Sequence, residues 1–167
     1  MQRSSAVLGS TIFFLAVPSV LAGVIPWWIT QWRFQPAFPG LEWLRVVGAL
    51  LIVVGVPGLV DSFIRFAVQG LGTPAPIAPT RHLVVTGLYR HVRNPMYVSV
   101  AAVILGQGAL LADGQLVAYG AFFWLACHGF VVFYEEPTLA QTFGGEYERY
   151  RANVPRWIPR VRPWQGR

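Results

Sequence analysis

Lysine is absent from this sequence: all 13 basic side chains are arginine, set against seven acidic ones for a net charge of +6. Charge of either sign is scarce, at 12% of residues, against the roughly 25% of an average soluble domain. A water-soluble surface is hard to build from so few charges, which argues against a soluble globular protein. The arginines lie in connecting segments and near the C-terminal end, seven before Pro95 and six after Glu148. That distribution suits an anionic membrane surface. The basic, aromatic-laced face of a soluble domain that nucleic-acid binding requires is missing. The single Cys127 excludes an intrachain disulfide and sits in an apolar run, where it reads as a packed small residue. His82, His91 and His128 stand at no metal-ligand spacing with that cysteine or with a carboxylate, so no metal is expected. Neither a Gly-Lys-Ser phosphate loop nor a Gly-x-Ser-x-Gly elbow occurs.

What the chain has in quantity is apolar sequence. Hydrophobic residues make up 54% of its 167 positions, and the mean hydropathy is +0.49. The length allows one domain. The expected fold class is all-α: a polytopic membrane helix bundle of about four transmembrane helices, since each needs roughly 20 apolar residues, followed by a C-terminal amphipathic helix. Residues 1–68 hold the first two spans, and 69–167 hold a second, polar-capped half. Ser4 to Trp32 carries no charge. Its start also resembles a signal peptide, but apolar character continues through Ile25, Trp27 and Trp28, so an uncleaved span is expected with Trp27, Trp28 and Trp32 as an interfacial belt. A second span runs from Trp43 or Leu44 to about Val68, with Asp61 and Arg65 four apart on one face and able to pair, and with a bend at Pro57. The proline-rich stretch from Gln69 to Thr80 reads as an ordered connecting loop. Asn94 to Ala112 and Gln115 to Tyr134 form the third and fourth spans, turning at Asp113-Gly114.

Two polar clusters break this pattern. Arg81, His82, Tyr89, Arg90, His91, Arg93, Asn94 and Tyr97 crowd in just before the third span, and Glu135–Glu136 close the fourth. A tight hairpin between those spans brings the clusters together on one side of a bilayer. Most arginines fall on that side, so the positive-inside rule puts both termini and both clusters in the cytoplasm. After Glu136, Pro137 is expected to open an amphipathic helix whose Leu139, Phe143, Tyr147 and Tyr150 share a face, with Gly144-Gly145 the place where it breaks or packs closely. The basic, aromatic tail VPRWIPRVRPW is expected to lie along a headgroup layer or across the mouth of a site. His128, inside the fourth span, is read as a hydrogen-bonding residue of the bundle.

The string from Gly87 through Tyr89, Arg93, Asn94 and Pro95 to Tyr97 resembles the first signature of the isoprenylcysteine carboxyl methyltransferase and phospholipid methyltransferase superfamily. The second signature is similar to Glu135, Glu136, Leu139, Phe143, Gly144, Tyr147 and Tyr150, and the ending from Val154 to Pro159 also looks like the family's. The resemblance runs from about residue 70 to 160. It implies an integral-membrane enzyme, in the inner or plasma membrane of a prokaryote, that binds S-adenosylmethionine at its cytosolic face. It further implies a lipophilic acceptor entering from the bilayer. Cofactor binding carries over to His82, Leu83, Gly87, Tyr89, Arg93, Asn94, Pro95, Tyr97, Glu135 and Glu136, with Arg93, Glu135 and Glu136 also the candidate catalytic residues. Asn94 departs from the pattern, standing where many members have histidine. It can donate and accept hydrogen bonds, but it cannot titrate near neutrality.

The residues leave the acceptor open among a carboxylate, an amine and a small thiol or other hydrophobic metabolite. The resemblance of the ending to the isoprenylcysteine branch is what names that branch's carboxylate. It is already nucleophilic and needs only an arginine to hold it, Arg90, Arg93 or Arg149. A phospholipid amine of the phosphatidylethanolamine type is the alternative and would need a base, for which Glu135 or Glu136 is available. An NADPH-dependent membrane reductase and a non-enzymatic membrane scaffold are the readings from other classes.

Overall fold

The computed structural model describes residues 16–37, 39–69 (66–69 by backbone alone) and 82–166. Arg3, the start of the first apolar stretch, Arg81 and residues 70–80 of the proline-rich connection lie outside them. Among the described residues all regular structure is helical. Helix α1 is Ala16–Thr30, α2 Trp43–Gln69, α3 Pro95–Leu111, α4 Gly114–Phe143 and α5 Gly145–Asn153, with a 3₁₀ turn at Gly87–Arg90 ahead of α3.

Proline decides the local shape of two of these helices. A proline inside a helix has no N–H for the carbonyl four residues back, and its ring crowds that carbonyl. Both α1 and α4 respond with a π turn ending two residues before the proline, Val20–Val24 before Pro26 and Val131–Glu135 before Pro137. The N–H of Ile25 reaches back to Val20 O, and that of Glu136 to Val131 O. In α1 the loosened backbone is met from other helices: Gln107 donates to Ala22 O at 2.8 Å and Tyr119 to Leu21 O at 3.0 Å. In α4 the consequence corrects the sequence expectation. Pro137 opens no separate helix, since α4 runs through it to Phe143. The break falls at Gly144, whose φ of +49° suits glycine, and the short amphipathic helix starts after it. The expected apolar face survives the break. Tyr147, Tyr150 and Val154 form a buried cluster with Leu83, Leu139 and Phe143 packed on it.

Helices α2 and α3 meet along a seam of small residues. Gly48, Gly55 and Ser62, seven apart and so on one face, are all buried. A β-carbon on Gly48 would lie 2.5 Å from Gly106 O, and one on Gly106 2.8 Å from Gly48 O. The spacing along α2 is seven rather than the four of a Gly-x-x-x-Gly pair. Gly48→Ala, which cannot be fitted without parting the two backbones, is expected to cost about 1–3 kcal/mol. That should lower the midpoint of thermal unfolding by roughly 2–12 °C. Gly23→Ala, whose added carbon meets nothing within 4 Å inside a helix, should not lower the midpoint.

The α3–α4 hairpin turns through Ala112, in the left-handed region at φ +57°, and Asp113, whose carboxylate caps α4 by accepting from the Leu116 N–H at 2.9 Å. Leu59, Ile104, Leu116 and Phe123 make the core between α2, α3 and α4. The outer faces are as apolar as this core: Leu50, Val53, Val54, Phe122, Leu125 and Phe133 are all exposed. Only 28% of the most apolar window of α2 is buried, and 22% of that of α4. Apolar helices with faces so open belong in hydrocarbon rather than water. Both α2 and α4 are long and apolar enough to cross a membrane, and α1 and α3 are shorter apolar helices.

Candidate functional site

The polar site lies where the 3₁₀ turn, the N-terminus of α3, the π turn of α4, α5 and the C-terminal segment converge. Its centre is Glu136. Arg93 Nη1 stands 2.9 Å from Glu136 Oε1, and both side chains are only 9% exposed, which makes this a buried ion pair. Arg156 completes it from the tail, with Nε 2.6 Å from Oε1 and Nη2 2.9 Å from Oε2. A bidentate guanidinium fixes the plane of the carboxylate as well as its charge. Pairing with Glu136 raises the Arg156 pKa further above its ordinary value. Arg93 Nη1 also donates to the Tyr147 hydroxyl at 3.0 Å, and burial pushes that phenol's pKa up, so it stays a neutral acceptor. Arg93 Nε is buried without a hydrogen-bond partner among the described residues.

Glu135 faces a different neighbour. One of its oxygens accepts from the Tyr97 hydroxyl at 3.1 Å. Adjacent glutamates thus serve two separate partners, Glu135 turned to α3 and Glu136 to the tail. The π turn ends at Glu135, so the helix is locally unwound where these side chains diverge.

The C-terminal segment is a strap over the first cluster. Arg93 N–H donates to Pro155 O, Arg160 N–H to His91 O and Trp164 N–H to Arg90 O, each at 2.9 Å. Asn94 Nδ2 donates to Arg156 O at 3.2 Å, His91 Nδ1 lies 2.8 Å from Arg160 O, and Arg90 Nε donates to the Trp164 carbonyl. The tail therefore lies across the first polar cluster. From α5, Tyr150 donates to Tyr89 O at 2.7 Å, holding the 3₁₀ turn from below. His128 is indeed a hydrogen-bonding residue, accepting from Trp157 Nε1 at 3.0 Å.

Two cavities flank the 3₁₀ turn. The smaller, about 40 Å³, is lined by Tyr89, Arg93, Asn94, Pro95, Met96, Tyr97 and Glu135. The larger, about 690 Å³, has Leu83, Val85, Thr86 and Gly87 on one wall and Arg65, Arg90, Glu146, Arg149 and Trp164 around it. Gly87 is required there. Its φ is +52°, and a β-carbon on it would sit on the Arg65 guanidinium, which Asp61 holds at 2.9 Å in the expected pair.

Of the residues picked out in the sequence, Tyr89, Arg93, Asn94, Pro95, Tyr97 and Glu135 thus surround one cavity, and Leu83 and Gly87 the other. Glu136 braces the wall between strap and helix. His82 is exposed and lines neither cavity. Arg90 and Arg149, two of the three arginines open in the sequence for holding a carboxylate acceptor, line the larger cavity, whereas Arg156, Glu146 and Trp164 carried no binding role there. The tail's basic, aromatic composition was the available signal, but it does not say which arginine turns inward.

The chain resembles known proteins. The protein-S-isoprenylcysteine O-methyltransferase of Schizosaccharomyces pombe is 39% identical over 83 residues, which are 48% of this chain and 34% of that protein. The aligned stretch therefore spans about a third of that relative's length. The phospholipid methyltransferase family profile matches residues 43–146, more than half of the chain, from the start of α2 into α5 and through both polar clusters. By that match, the chain belongs to the phospholipid methyltransferase family.

Proposed function

We propose that this protein is a membrane methyltransferase that moves a methyl group from S-adenosylmethionine to a lipophilic acceptor of the isoprenylcysteine type. The observation that carries the reading is the pair of cavities on either side of the 3₁₀ turn, set against the Arg93–Glu136–Arg156 cluster at the end of apolar helices. The larger cavity falls within the roughly 300–1,000 Å³ of small-molecule sites. Its lining fits a zwitterion bearing an aromatic base: Arg90 and Arg149 for a carboxylate, Glu146 for an ammonium or ribose hydroxyl, Trp164 for a ring. The cofactor would be held by these residues together with Leu83, Gly87, Tyr89 and Asn94. It supplies a methyl carbon that departs with its C–S bonding electrons left on sulfur.

The chain's own residues then position and shield. Tyr89 and Tyr97 present aromatic rings to a sulfonium. Arg93, held by Glu136 and Tyr147, keeps the α3 end in place, and Pro95 sets its first turn. Positioning of this kind can lower a barrier by roughly 7–11 kcal/mol. A carboxylate acceptor needs no base. A phospholipid amine does, and the Glu135 carboxylate on the wall of the smaller cavity is the observation that favours that second reading. We place four spans in the bilayer, α1 and α3 beside α2 and α4. Both polar clusters and both termini then face the cytoplasm, the arginine-rich side, in the inner or plasma membrane of a prokaryote.

The test is calorimetric binding of S-adenosylmethionine, S-adenosylhomocysteine and NADPH to the detergent-purified protein, followed by transfer of labelled methyl to a farnesylated cysteine or to phosphatidylethanolamine. Micromolar binding of the first two with labelling of the farnesylated cysteine is the expected result. Labelling of the phospholipid alone would select the amine acceptor. Binding of NADPH alone would select the reductase, and no binding by folded protein would leave a scaffold.

A further inference from the structure

At the far end of the bundle from the polar site, the start of α2, the end of α3 and the start of α4 enclose a second kind of cavity, about 380 Å³ in volume. The 17 residues of α3 put about 25 Å between this end and Pro95. The wall is apolar, from Leu44, Val47, Leu105 and Val117, and Gly108 and Ala109 make room in it. Such a hollow does not hold water well and accepts hydrocarbon.

One cation stands on that wall. Arg45 Nη2 donates to Gln35 O at 2.6 Å, and its guanidinium carbon lies 5.6 Å from the centre of the Phe34 ring. Its Nε is buried with no hydrogen-bond partner among the described residues. Arg45 is only half-buried as a whole, and its guanidinium carries more N–H donors than the one Gln35 carbonyl uses, so a phosphate oxygen approaching its open edge suits it. Asp113, also on the wall, has Oδ1 committed to the Leu116 N–H. Exposed Trp28, Trp32, Phe34 and Trp43 gather at this end, as aromatic residues do at headgroup level.

We propose that this cavity is a binding site for an anionic phospholipid, one acyl chain filling the apolar hollow and the phosphate held by Arg45. The lipid is resident there, a helix length from the polar site, and is not the methyl acceptor.

Native mass spectrometry of the detergent-purified full chain tests this, with phosphatidylglycerol and phosphatidylcholine of identical acyl chains as probes. The protein should retain a single phosphatidylglycerol about fivefold better than phosphatidylcholine, the preference one basic residue confers. Arg45→Gln should reduce phosphatidylglycerol to the phosphatidylcholine level. Gly114→Leu enters the cavity where a β-carbon meets open space, and it should reduce retention of both lipids even if Arg45→Gln fails to fold. Equal retention of the two lipids by the unaltered protein, or retention that Gly114→Leu does not change, overturns the proposal.

Discussion

Glu136→Ala is expected to lower the midpoint of thermal unfolding by roughly 6–20 °C and to abolish binding of S-adenosylmethionine. The carboxylate sits between two guanidiniums, and it and Arg93 are only 9% exposed. Removing it leaves Arg93 charged and buried, with the Tyr147 hydroxyl as its remaining side-chain partner among the described residues. Breaking one side of a buried pair typically costs about 3–5 kcal/mol, which gives that shift for a chain of this size. A fall in stability alone would not distinguish a binding site from a structural brace. The triple variant Arg93→Met, Glu136→Leu, Arg156→Met makes the distinction, because replacing a whole buried ionic cluster by apolar side chains is often neutral for stability. Recovery of the midpoint without recovery of binding, read by differential scanning fluorimetry and calorimetry, is the expected outcome. Recovery of both would mean that the cluster is a brace only.

Arg156→Ala is expected to weaken cofactor binding by about 10–100-fold while the protein stays folded. Two charge-assisted bonds to Glu136 are lost, each worth about 1.5–3 kcal/mol, but Arg93 remains as counter-ion, so no buried charge is stranded. The effect reaches the site through the strap. Without that anchor, the carbonyls of Pro155 and Arg156 no longer hold the Arg93 N–H and the Asn94 amide in place, and Trp164 is released from the larger cavity. Arg156→Lys keeps the charge and loses the bidentate fork, so it should fall between the two. Affinity for S-adenosylhomocysteine measures the effect. Alanine and lysine variants that both bind as the unaltered protein does would show that the strap merely covers the site.

Much of the helical layout was legible because hydrocarbon-facing sequence repeats one simple demand over a known length. The stretch from Trp43 and the hairpin about Asp113 fall where composition puts them. Where the reading slipped, proline was the cause. Pro137 looks like a helix start, yet α4 continues through it after a π turn in which the Glu136 N–H reaches the fifth carbonyl back, Val131 O. The seam of Gly48, Gly55 and Ser62 was overlooked for another reason. Its seven-residue spacing has meaning only once Gly106 of α3 is known to lie against it.

The sequence by itself determined that this is an all-helical, membrane-suited chain with two polar clusters ahead of and behind one hairpin. Those features are local: hydropathy over a span, charge at its ends, and a short turn that leaves the chain nowhere else to go. Only the tertiary structure decided which charges meet. That Glu136 takes Arg93 and Arg156, while Glu135 takes Tyr97, depends on a slipped helical register and on a tail that folds back over the α3 end. Partner choice among several arginines and two adjacent glutamates is set by geometry within a few ångströms, and residue spacing alone carries no such resolution.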